Sequence, residues 1–483
     1  MPENTSRRPD LRAVIEDNAL QSVPLDQRQS GWALFANTAG VGSTLVVLGV
    51  GAAVTFTAGT RWGLVVALVA AVFGSGIGWA VGRICQATGT SSTVTARFHG
   101  LGTRGSALAS LVFAFMILGF LALENALLYY GTIFMFGWEP STANKLGIYG
   151  VLTVAWIVLT TFGLGLVQKV SLLLTVVCGV LFVVVTIVAL DKSSVSLGDV
   201  WSYSPPGVGF TEITAALSII AGIAGALALV GADFSRYART SGDVRVLAVG
   251  GAIVVNIVVV AIGTIVFQAG NLVVAEHLAD PTNAAQAASQ VGATIPEKIA
   301  FMSSANPGAY FIVLSGFLGF LVMYAAQAKA QVLNTYSGSL ALSNLSDAVF
   351  GRSPGRLVMV VLGNVIALLA IWGDILDRIN SFLGLLGILT TALCALMITD
   401  FFVVRRGAAH RERVEQFNWA GIVAMLASSA LAYWLQDSGR TNLGFLIALV
   451  LCPLLYVALR SSLLPEGRGT GTVEASAALE LAE

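Results

Sequence analysis

Long apolar runs separated by short polar segments recur along the whole chain and predict an all-α polytopic membrane protein. A run of roughly 18 or more apolar residues is long enough to cross a bilayer as a helix. The pattern predicts about 12 such spans. The first five are 32–57, 62–84, 106–131, 146–165 and 168–190; the next five are 211–233, 245–268, 309–336, 357–373 and 376–402; the last two are 418–436 and 442–463. The polar ends, 1–31 and 464–483, read as cytoplasmic tails, and the first has no apolar core of the signal-peptide kind. Two longer connections, 201–210 and 271–306, fall outside, and the second holds a helical Ala/Gln-rich stretch that reads as a gate or a surface cap.

The polar positions inside the apolar runs carry the functional information, because a polar group in a membrane span is expensive and marks a site by default. In span eight, Gln327, Gln331 and Asn334 fall on one helical face. Lys329 points nearly the opposite way, among Ala325, Ala326 and Leu333. This helix therefore offers an amide face for a substrate and a separate ammonium face for coupling. In span three, Glu124 lies mid-helix, four residues after Phe120 and beside Asn125. It reads as a substrate or proton ligand; the competing reading is a salt bridge between helices, with Lys329 as its partner.

Glycines interrupt two spans. Span one carries Asn37, Thr38, Gly40, Gly42 and Ser43; span six carries Gly222, Gly225 and Gly231. Each glycine weakens a helix by about 1 kcal/mol relative to alanine. The two spans are five apart, which predicts a 5+5 inverted repeat, 32–190 and 211–402, each half opening on a broken helix, with 418–463 as two extra helices. Close helix packing through small residues is the alternative.

Composition agrees: 56% of residues are hydrophobic and 11% charged, against about 25% charged in an average soluble domain. The net charge of +0 gives no basic surface for nucleic acid. With both termini inside, 19 of the 26 Lys and Arg residues fall on the cytoplasmic side and 5 outside, as the positive-inside rule requires. Cys85, Cys178, Cys394 and Cys452 stand in apolar context without ligand spacing, so neither a disulfide nor a metal site is expected. His99, His277 and His410 lie in loops, and no Gly-Lys pair exists to form a phosphate-binding loop. No cofactor or enzyme activity is expected. Asp233 with Arg236, and Asp374 and Asp377 with Arg378, read as helix-end ion pairs, and Trp62, Trp79, Trp138, Trp201 and Trp434 as interfacial anchors.

Four motifs resemble the nucleobase–cation symporter family of purine, cytosine, allantoin and hydantoin permeases. They are VPLDQR (23–28) before span one, GADFSRY (231–237) after span six, QVLNTYS (331–337) ending span eight, and span ten from FLGLLGILTTA to TDFFVVRR. The resemblance covers about residues 15–410. It implies a LeuT-like 5+5 fold and a plasma-membrane (inner-membrane) secondary transporter working by alternating access. Substrate contacts are then expected from Asn37 and Gly40 in span one, Phe120 and Glu124 in span three, Gly225 and Leu227 in span six, and Gln331 in span eight. Phe120 and Leu227 stand where the family has tryptophans, and Glu124 where it has an amide. Ala325 and Ala326 stand near the helix-eight hydroxyls of sodium-binding members. Lys329 and Glu124 are therefore the expected ion-coupling residues, with protons rather than sodium as the ion. Partners are a small-molecule substrate and the lipid bilayer. An amino-acid, amine or vitamin carrier of the same fold is the nearest alternative, and a channel or membrane receptor the alternative from another class.

Overall fold

The computed structural model of the chain describes residues 21–38, 44–162, 164–352, 354–373, 375–376, 378–408, 412–468 and 470–474, with backbone alone for 36–38, 164–172 and 174. It is almost wholly helical. The short helix α1 (Gly31–Thr38) leads towards α2 (Leu45–Thr88), which carries the rest of span one and all of span two. The turn between those spans is Gly59, whose φ of 77° only glycine adopts without strain. Thr60 fixes that turn, its backbone N–H donating to Tyr203 O at 3.0 Å and its hydroxyl to Val200 O at 2.6 Å.

A short helix, α3 (Ser92–Phe98), precedes α4 (Ala107–Phe136), α5 (Thr142–Phe162) and α6 (Leu164–Ser193), which are spans three to five. After α7 (Leu197–Ser202) comes span six, α8 (Phe210–Ser235). Span seven is α9 (Ser241–Ile253), a π-helical turn over Val254–Val259, and α10 (Val260–Ala279). The connection predicted over 271–306 contains two helices, α11 (Ala284–Ala288) and α12 (Ile295–Ala305). Span eight is α13 (Pro307–Ser315) and α14 (Phe317–Phe350), divided at Gly316 with φ 60°. The chain ends with α15 (Arg356–Trp372), α16 (Ile379–Ile398) with a π turn over Thr399–Val404, α17 (Trp419–Asp437) and α18 (Gly444–Ser461). A small antiparallel ribbon pairs β1 (Arg413–Glu415) with β2 (Thr472–Glu474).

Nine helices among the described residues are long and apolar enough to cross a membrane. They account for ten of the twelve predicted spans, since α2 contains two; the other two are α14, which is more polar, and α15, which is shorter. Trp62, Trp138, Trp201 and Trp434 are all about half exposed, in keeping with interfacial positions.

Span six differs from expectation. Its glycines do not unwind it; α8 is continuous from Phe210 to Ser235. A Cβ on Gly222 would collide with the backbone of Leu383 in α16, and one on Gly225 with the Thr390 hydroxyl. These glycines serve close helix contact, so the helix keeps its hydrogen bonds and has no reason to break. The break expected in span one falls at residues 39–43, outside the described residues.

The ends of α1, α3 and α14 are joined to neighbouring helices by polar links that sequence spacing did not show. Asp233 of α8 accepts the Ser92 N–H at 2.6 Å, satisfying the start of α3, and so acts there as a cap. Asp243 of α9 does the same for α1, accepting from Gly31 N–H at 2.7 Å. At the other end of α3, Arg97 pairs with Asp347 of α14 at 2.5 Å and donates to Asn344 Oδ1. His99 meets Asp400 at 3.2 Å, and the Tyr456 hydroxyl also donates to Asp400. Arg460 pairs with Glu415 at 2.5 Å. All four cysteines are buried.

Candidate functional site

The amide face of α14 packs against α4 because both helices place small or polar residues there, and a buried amide must find partners. Gln331 Nε2 donates to Asn125 Oδ1 at 2.7 Å and to Leu121 O at 3.1 Å. Asn334 Nδ2 donates to Glu124 Oε2 at 3.2 Å and to Gln331 Oε1 at 3.3 Å. A third helix joins through Trp156 of α5, whose indole N–H donates to the same Asn125 oxygen at 2.8 Å. The Glu124 carboxylate also faces the hydroxyl of Thr44, where the chain enters α2. Glu124, Asn125, Gln331 and Asn334 are all buried. The result is a polar cluster of two carboxamide rows and one carboxylate, held by α4, α5 and α14 beside the entry to α2.

Gln327, one turn before Gln331, has no exposed surface, and neither its Nε2 nor its Oε1 makes a hydrogen bond among the described residues. A buried amide left in this way costs roughly 1–3 kcal/mol. Its position on the Gln331 face makes it the polar group here with the most unused hydrogen-bonding capacity.

Lys329 faces elsewhere. The residue is 2% exposed, and its ammonium donates to Thr175 Oγ1 of α6 at 3.1 Å. Among the described residues it pairs with no carboxylate, so the salt bridge to Glu124 that the sequence allowed is not formed; Glu124 takes Asn334 and Thr44 instead. The two faces of α14 therefore address different helices, α4 and α6.

The other candidates are distributed more widely. Phe120 is half-buried and meets Phe382 of α16 edge-on, with ring centroids 5.7 Å apart. It lies one turn from Glu124 on the same helix. Gly225 touches Thr390 of α16. Leu227 points away from that contact, into an apolar cavity of about 60 Å³ between α2, α8 and α9 that none of Phe120, Glu124 or Gln331 lines. A two-residue step turns a helix by about 200°, so Gly225 and Leu227 cannot both face one site. Asn37 lies in the last turn of α1 with its side chain outside the described residues; Gly40, Asp374 and Asp377 are outside them entirely. The sequence placed Gln327 on the substrate-facing amide face without naming it among the expected contacts, and named neither Asn125 nor Trp156 as a contact. Gln327 and Asn125 were visible as in-span amides, whereas Trp156 had no signal short of the packing of α5.

Residues 22–455 match the family described as permease for cytosine/purines, uracil, thiamine, allantoin. No curated protein matches the chain by sequence. The inward-facing structure of Mhp1 is similar with a TM-score of 0.68 at 18% identity, covering 90% of this chain and 91% of that one. Mhp1, a nucleobase-cation-symport-1 family transporter, in a closed conformation with bromovinylhydantoin bound, gives 0.65 at 19% identity, covering 92% and 95%. A Na+-coupled sialic acid symporter in a substrate-bound outward-open state gives 0.62 at 13% identity, covering 90% of each chain. The chain belongs to this permease family and has the LeuT-like transporter fold.

Proposed function

We propose that this multi-pass permease imports a nucleobase or related planar polar heterocycle, such as cytosine, a purine or allantoin, across the plasma membrane by alternating access. Its substrate site is the α4–α14 polar cluster: Glu124 and Gln331, with Gln327 added to the residues expected from sequence. Phe120 lies one turn from Glu124 on α4, while Gly225 contacts α16 and Leu227 lines a separate cavity; Asn37 and Gly40 stay in the proposal on the sequence resemblance alone. Both termini are cytoplasmic, and the two repeats are 32–190 and 211–402. The observation that carries the reading is the Gln327 amide, fully buried and with neither polar atom hydrogen-bonded among the described residues, beside a hydrogen-bonded carboxylate–amide row. A planar ring with adjacent donors and acceptors is the ligand that amide and carboxylate groups match in pairs.

Coupling is assigned to protons through Lys329, with Glu124 as the second titratable group. The Lys329 ammonium has a neutral hydroxyl for its partner, and Ala325 and Ala326 supply no side-chain oxygen for a sodium ion. The test is a thermal-shift screen of purified protein against nucleobases, hydantoins, vitamins and amines, repeated with Gln331→Ala and Lys329→Ala. Stabilisation by a nucleobase-type ring, lost in Gln331→Ala and retained in Lys329→Ala, is expected. Stabilisation by amines alone would replace the substrate class, and equal loss in both variants would remove the separation of the two faces.

A further inference from the structure

We propose that the chain has a second ligand site, at the outer ends of α4, α5 and α15 in the orientation given above, which binds a planar aromatic or heteroaromatic anion. A cavity of about 240 Å³ opens there. Tyr130 comes from α4, Thr142, Lys145 and Tyr149 from α5, and Trp372 from the end of α15. The lining is built from three chemistries that together select one ligand class. Tyr130, Tyr149 and Trp372 present ring faces and edges, which bind a flat ring by stacking or edge contact. The Tyr149 and Thr142 hydroxyls can donate or accept hydrogen bonds at the ring's edge. Lys145 adds one positive charge, and no carboxylate among the described residues lies within ion-pair distance of it. A charge-assisted hydrogen bond to an anionic oxygen is about twice as strong as a neutral one.

The tyrosine part of the wall is fixed in place, whereas Trp372 is 65% exposed. Tyr149 is 6% exposed, and its ring is backed by the fully buried Tyr129, centroid to centroid 5.1 Å. Tyr129 in turn packs edge-on against Tyr130 at 5.1 Å. A wall held by buried rings loses little side-chain entropy when a ligand arrives. The cavity is separate from the central cluster. Its α4 residues are Ala126 and Tyr130, four apart on one face, whereas Glu124 is two residues from Ala126 and turned about 200° away. The site does not depend on the proposed transport substrate.

Orotate and uracil discriminate, since they share one ring and differ by a carboxylate. Binding of each to the full chain in lipid nanodiscs is measured by calorimetry or saturation-transfer NMR. Orotate should bind saturably, and Lys145→Met should weaken it about tenfold, the loss of one charge-assisted contact. Trp372→Ala should weaken it as well, Gln331→Ala should leave it unchanged, and uracil should show no response to Lys145→Met. Lys145 is exposed, so its replacement should leave the fold intact, which the thermal midpoint checks. Orotate binding that ignores both Lys145→Met and Trp372→Ala, that disappears in Gln331→Ala, or that never saturates would overturn the proposal.

Discussion

Arg97→Met should be among the most destabilising single substitutions in the protein. The Arg97 guanidinium and the Asp347 carboxylate are 2.5 Å apart, with their side chains 2% and 4% exposed, so solvent screens neither. Arg97 also donates to Asn344 Oδ1, and Asn344 in turn donates to Ser110 Oγ at 2.6 Å. Removing the arginine leaves a buried carboxylate without its partner, which costs about 3–5 kcal/mol. Methionine keeps much of the aliphatic stem, so the packing loss is small by comparison. The second substitution isolates the charge: Asp347→Leu in the Arg97→Met background removes the stranded carboxylate and should restore most of the loss. The four buried cysteines make a thiol-reactive fluorophore a direct reporter of unfolding in detergent. Arg97→Met should lower the midpoint by several degrees, and the double variant should recover more than half of that. A shift for Arg97→Met equivalent to less than about 1 kcal/mol, or a double variant no better than the single, would refute the reasoning that α3 is held by a desolvated ion pair.

Glu124→Gln keeps an acceptor for Asn334 but removes the ionisable carboxyl, so it should change substrate affinity without lowering the thermal midpoint; wild-type binding across about pH 5–8 would take Glu124 out of the site. Gly222→Val should destabilise by about 1–3 kcal/mol or more through overpacking, because its Cβ would meet the Leu383 carbonyl; a neutral result in the same fluorophore assay would contradict the close α8–α16 contact. Cysteine at exposed Thr282 should react with an impermeant reagent from outside and cysteine at exposed Arg468 only from inside; the reverse pattern would invert the topology. Uptake into proteoliposomes should be unaffected by a sodium gradient and raised by an inward proton gradient, the latter lost in Lys329→Met; sodium stimulation at fixed pH and voltage would refute the coupling proposal.

The span pattern was legible because bilayer crossing demands apolar length, and length is a local property of sequence. The amide face of α14 was legible for a related reason: Gln327, Gln331 and Asn334 share a face at helical spacing, and α4 does receive two of them. Span six was misread because glycine has two uses in a membrane helix, and only the neighbouring backbone of α16 distinguishes them. The extension of span eight to Phe350 was hidden by its polar C-terminal half, where Asn344 and Asp347 find partners on α3. Asp233 read as a local ion pair with Arg236, yet it caps a helix start 141 residues away in sequence, and Asp243 caps one 212 residues away. No spacing rule reaches that far, because such caps depend on where the folded chain brings a helix start.

The central claim is that the α4–α14 cluster is the substrate site of a carrier, and counterflow tests it most directly. Liposomes containing the full chain are loaded with unlabelled cytosine, hypoxanthine or allantoin in turn and diluted into the same compound, labelled, at trace concentration. At least one compound should accumulate transiently above its equilibrium level with the wild type, and Gln331→Ala and Gln327→Ala should each abolish that overshoot while remaining folded. Equilibration without overshoot for every compound, or an overshoot that both variants preserve, would contradict the account.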